Sequence, residues 1–94
     1  ITINNDENYT VVNYPNPFSS ATTIKFTLQN TNYTKLVVYN VIGSEVVTLF
    51  EGMAEADWTY KVQFSGQDLN SGLYFYHLQS GESVNVLKKM ILSE

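Results

Sequence analysis

The sequence predicts an all-β fold, a sandwich of about seven antiparallel strands. Three observations carry this. Thr, Val, Tyr, Phe and Ile are abundant and Ala is scarce, a residue choice that suits pleated, half-buried strands. Apolar residues alternate in short runs, and no long segment repeats with helical period. The runs are broken by Gly, Asn, Ser and Pro at the spacing expected of a sandwich.

Each element can be read in turn. Residues 1–9 are polar and acidic and read as a linker to an upstream domain, with the folded domain spanning 10–94. Thr10 to Tyr14 is a short strand, stopped by Tyr14-Pro15-Asn16-Pro17. Two prolines there remove two backbone donors and force an extended kink. From Ala21 to Leu28, Ile24, Phe26 and Leu28 face one way and Thr23, Lys25 and Thr27 the other. Gln29 to Tyr33 reads as a polar turn and Thr34 to Val41 as the next strand. Ile42-Gly43-Ser44 turns the chain and Glu45 to Phe50 returns, making a hairpin. Glu51 to Asp57 reads as a loop. Trp58, Tyr60, Val62 and Phe64 line one face of a fifth strand. After a second loop, Leu73 to Gln79 is apolar on both faces, which places it near a sheet centre. A turn at Ser80-Gly81-Glu82 leads to the last strand, Ser83 to Leu92.

Composition narrows the function. Ninety-four residues make one small domain without room for a large catalytic cleft. The absence of Cys excludes disulfides, thiolate zinc sites and Cys nucleophiles. The net charge is −4 and there is no Arg, a poor match to nucleic acid or an anionic membrane surface. No apolar run has the length of a membrane span. The chain opens on Ile1 rather than Met, so it reads as a piece that serves a longer protein.

Few residues suggest chemistry, and no catalytic, cofactor or metal site is expected. His77 is the sole histidine and sits mid-strand, without a partner for a metal or a triad. Glu51, Glu55 and Asp57 lack the spacing of a calcium loop or a glycosidase pair. Trp58 and the tyrosines would make a sugar platform only if exposed together. Asn8-Tyr9-Thr10 and Asn32-Tyr33-Thr34 match the glycan acceptor pattern. Gly43 and Gly72 read as structural, at turns that need glycine's freedom. Asn16 reads as capping its own turn beside Pro17.

Lys88 and Lys89 form the notable pair, side by side in an apolar strand. On an edge strand lysines block unwanted pairing. Adjacent strand residues point to opposite faces, however, so one of the two is directed at the packed side. That is costly unless its stem lies on apolar surface and its head reaches water.

Asn13-Tyr14-Pro15-Asn16-Pro17-Phe18, followed by Ala21 to Phe26, resembles the "YPNPF…TTIKF" opening of type A C-terminal sorting domains of the type IX secretion system. Val38 to Val46 is similar to that family's "VYDVLGREV", Leu69 to Leu78 to "LPSGVYFYRL", and Lys88-Lys89-Met90-Ile91-Leu92 to the terminal "KKMVL". Four motifs in order cover nearly the whole chain. The chain departs from the pattern at Asn70, His77 and the Ser93-Glu94 end.

The resemblance implies an immunoglobulin-like sandwich acting as a secretion address. A parent protein crosses the inner membrane by its own signal. The outer-membrane translocon then reads this domain, and a surface sortase removes it in many members. Such a domain is a ligand, not an enzyme, and its cargo is secreted or held at the cell surface of a Gram-negative, Bacteroidota-type bacterium. The recognition residues implied are Lys88, Lys89, Met90, Ile91 and Leu92, with Asn16, Pro17, Phe18, Gly43, Gly72 and Tyr74 as structural motif residues. An accessible last strand would let the translocon add a strand of its own. Two other readings stay open: a structural spacer or flagellar hook-capping-like module, and a carbohydrate-binding module around Trp58.

Overall fold

The computed structural model describes residues 9–93. Seven strands form: β1 (Tyr9–Tyr14), β2 (Ala21–Leu28), β3 (Asn32–Asn40), β4 (Glu45–Ala54), β5 (Thr59–Ser65), β6 (Gly72–Ser80) and β7 (Val84–Leu92). They make two antiparallel sheets, one in the order β1-β2-β5 and one in the order β4-β3-β6-β7. The sheets face each other as a sandwich.

The strict alternation of β2 produces the core directly. Thr22, Ile24, Phe26 and Leu28 are buried, and the residues between them are half-buried on the outer face. The facing sheet contributes Leu36, Val38, Tyr74, Tyr76, Leu78, Met90 and Leu92. Phe26 stacks on Tyr60 with centroids 5.2 Å apart, and Phe50 meets both rings edge-on. The buried hydroxyls of Thr34 and Ser80 bond each other at 2.8 Å, so a polar pair sits inside without an unmet partner. β6 lies between β3 and β7, in the sheet interior, as its two apolar faces predict.

Several strand ends differ from the sequence reading by a residue or two, and the β3–β4 hairpin differs most. The hairpin of β3 and β4 runs further than its apolar core suggests, with Asn32 paired to Ala54 and Tyr33 to Met53. Its polar residues belong to the solvent face of the sheet: Lys35 stands opposite Glu51, and the Tyr33 hydroxyl donates to the Glu51 carboxylate. Trp58 falls just outside β5.

Two turns use the backbone freedom of glycine. Gly43 has φ 91°, and the Asn40 side chain accepts the backbone N–H groups of Ile42 and Ser44 in the same turn. Gly72 opens β6 at φ 144°. Two residues on, the Tyr74 hydroxyl donates to the Asn70 carbonyl at 2.7 Å. A tyrosine at the start of this strand, bonded back to the chain just upstream, is a mark of immunoglobulin-like sandwiches.

Candidate functional site

The terminal strand is an edge strand, and its side chains sort by parity. Val84, Met90 and Leu92 point into the sandwich and are buried, while Asn85, Leu87, Lys89 and Ile91 point outward and are exposed. Lys89 lies on the outer face opposite Phe75. Lys88 has inward parity, opposite the buried Tyr76, and is nevertheless exposed. The two lysines thus occupy opposite faces, as their adjacency predicts.

Lys88 escapes burial because the sandwich is open beside it. β1 and β7 are the edges of their two sheets, and a cleft of about 530 Å³ lies here. Val12, Asn13, Asn16, Tyr76, Lys88 and Lys89 help line it. An ammonium directed at this side keeps its water while its methylenes stay with the apolar wall. No carboxylate pairs with either lysine among the described residues.

Beyond Lys88 the edge is closed by the proline segment. The Asn16 side chain accepts the Ile91 N–H at 3.0 Å and donates to the Lys89 carbonyl at 3.4 Å. The Phe18 N–H donates to the Ile91 carbonyl at 2.9 Å, and the Ser93 N–H to the Phe18 carbonyl at 2.8 Å. Asn16 therefore does not cap its own turn, as its sequence context suggests. Pro15 and Pro17 have no N–H to offer, so the Asn16 amide stands in for a peptide group in the pairing. Phe18 anchors this latch: its ring is 1% exposed and meets Phe64 edge-on at 5.9 Å.

Most of the motif residues converge on this end of β7. Gly72 pairs with Leu92 and Tyr74 with Met90. Gly43 does not join them and sits in the β3–β4 turn. Within the lysine motif itself the roles divide. Met90 and Leu92 are core, at 0% and 3% exposure, whereas Lys88, Lys89 and Ile91 face solvent.

Asn13 was not singled out in the sequence, yet it stitches the two sheets together. It donates to Thr22 Oγ1 at 3.2 Å and to the Met90 sulfur at 4.0 Å, and it accepts the Tyr76 hydroxyl at 3.2 Å. Its inward parity after Tyr9 and Val11 was the available signal, since a polar residue there needs buried partners. Burial pushes the Tyr76 phenol up from 10.0 to about 12.

The remaining candidates stay dispersed. His77 hydrogen-bonds the Asn85 side chain at 2.6 Å on the outer face. Glu51 is held by Tyr33, and no cluster of three metal-ligating side chains exists among the described residues. Trp58 is 63% exposed at the β4–β5 connection. The half-buried Asn32 side chain lies beside Gly81, and its sequon partner Thr34 is fully buried. Asn8 lies outside the described residues.

Residues 12–93 match a family model described as "Secretion system C-terminal sorting domain". No curated protein and no solved structure matches the chain.

Proposed function

The chain belongs to the C-terminal sorting domains of the type IX secretion system, and on that basis we propose that its terminal strand carries the address through Lys88 and Lys89. The domain is a sorting signal for this system, and it engages the secretion machinery so that its cargo reaches the cell surface or medium. The reading adds how. The outer-membrane translocon receives the folded sandwich from the periplasm and meets an edge strand bearing two ammonium groups that have no carboxylate partner among the described residues.

The observation that supports it most is the division within the motif. Met90 and Leu92 fix the strand in the core, while Lys88 and Lys89 are exposed without a counter-charge among the described residues. Packing accounts for the first two and leaves the lysines without a structural duty beyond edge protection. Ile91, half-exposed between them and the latch, extends the readable surface.

Residues 1–9 serve in this reading as the linker to the cargo and as the region where a surface sortase cuts. Residues 1–8 lie outside the described residues, and Tyr9 already pairs with Leu28 in β1. The fold is thus entered at Tyr9, the last residue of that stretch.

The test is export of a fluorescent cargo, carrying an inner-membrane signal, fused ahead of residues 1–94 in a host with the type IX apparatus. The Lys88→Glu/Lys89→Glu double variant should leave the purified domain folded and hold the cargo in the periplasm. Surface or medium fluorescence equal to the parent fusion would refute the address.

A further inference from the structure

We infer that the open half of the β1–β7 cleft receives an extended segment of the partner protein, added as a strand along Asn85 to Lys89 and bearing a carboxylate for the lysine pair. The inference rests on the reading of the lysines as an address and specifies the chemistry of what reads them.

The backbone determines where such a strand fits. In an antiparallel pair, each residue directs its N–H and C=O to the same side, and successive residues alternate. Ile91 turns both groups away from β6, toward Asn16 and Phe18. The register from β6 to β7 is unbroken from Gly72–Leu92 to Ser80–Val84, so every odd residue of β7 turns its groups outward. The latch occupies those of Ile91 and the Lys89 carbonyl. It leaves the N–H and C=O of Asn85, the N–H and C=O of Leu87, and the N–H of Lys89. These form a short, regular run of donors and acceptors, as strand addition requires.

The surroundings select the occupant. The run borders the cleft of about 530 Å³, and on the far side lies β1, also an edge. A strand seated here would alternate its side chains, one set toward Tyr76 and Lys88, the other toward Leu87 and Lys89. Both sets meet an ammonium. A segment carrying Asp or Glu would give each lysine a partner it lacks within the described residues, in a partly water-excluded site where such pairs are strengthened. The latch would also fix the register, because pairing cannot run past Lys89.

The test separates the backbone from the lysines. Leu87→Pro removes one outward N–H without touching the bonds to β6, and proline is tolerated on an edge strand in that orientation. Leu87→Ser keeps the N–H and removes the exposed side chain. In the export assay, Leu87→Pro should cut surface fluorescence at least tenfold, while Leu87→Ser stays within twofold of the parent. Thermal unfolding of the purified variants confirms that each is folded. Should Leu87→Pro unfold, Asn85→Pro probes the neighbouring outward N–H. Normal export of the folded proline variant overturns strand addition, and the lysine address survives if Lys88→Glu/Lys89→Glu is still retained. A loss with Leu87→Ser equal to that with Leu87→Pro also overturns it, in favour of side-chain recognition. Normal export of the proline and double-lysine variants together removes both readings.

Discussion

β7 is held in two different ways along its length. From Lys89 to Leu92 it has neighbours on both sides, β6 on one and the Asn16–Phe18 latch on the other, with Met90 and Leu92 sunk in the core. From Asn85 to Lys88 it has only β6, and its other side faces a cleft. The two halves teach that a contiguous sequence motif need not be a contiguous functional unit. Its apolar residues hold the strand in place so that its lysines can be displayed.

The sharpest way to break this comparison is at the latched half. Met90→Ala and Phe18→Ala each empty a filled site and should cost about 2–5 kcal/mol, read as a lower urea midpoint. A loss under about 1 kcal/mol would mean that the latched end is not a packing anchor.

A smaller effect is expected from the latch bonds alone. Asn16→Ala leaves the Ile91 N–H and Lys89 C=O without their protein partner, at a cost of about 1–2 kcal/mol. Amide exchange should accelerate at Ile91 and stay unchanged at Leu87, which is already open. Equal acceleration at both residues would contradict a boundary at Lys89.

The wall behind Lys88 gives a pH test. Tyr76 titrates at about 12 in the folded state, above its ordinary 10.0, because burial disfavours the phenolate. The folded state therefore holds a proton that the unfolded state gives up between these values. The stability involved is fully present below pH 10 and is lost as pH rises through about 12. Absorbance at 295 nm should show a late tyrosine component that is lost in Tyr76→Phe. An unchanged titration in that variant would mean that the ring is not sealed between the sheets.

The smallest effect belongs to the open half. Lys88→Gln/Lys89→Gln should change stability by no more than about 0.5 kcal/mol, because neither ammonium has a partner to lose among the described residues. A larger loss in urea unfolding would give the lysines a structural role and weaken their assignment as an address.

Much of this was legible in the residues. The alternation of Ile24, Phe26 and Leu28 gave the core face of β2, and the doubly apolar run of Leu73 to Gln79 placed β6 inside its sheet. Adjacency put Lys88 and Lys89 on opposite faces. Two things escaped. The hairpin extension from Asn32 to Ala54 looked like turn and loop because Asn32, Thr34, Glu51 and Gly52 interrupt the apolar alternation, Thr34 being polar yet buried against Ser80. The role of Asn16 could not be seen because its partners lie 73 and 75 residues away. Local turn chemistry is the default reading of an Asn between prolines, and no short-range rule reports a long-range pairing.

That separation has a kinetic consequence. Phe18 and Asn16 near one end close on Lys89, Ile91 and Ser93 at the other, and Asn13 reaches Met90 across 77 residues. Contacts of such span form late and slowly, after the entropy of closing a large loop has been overcome. Without β7 the Phe18 N–H and C=O have no backbone to pair with. The presented surface therefore forms only once the proline segment and β7 have come together, so the same contacts that display the lysines also report that the sandwich has closed.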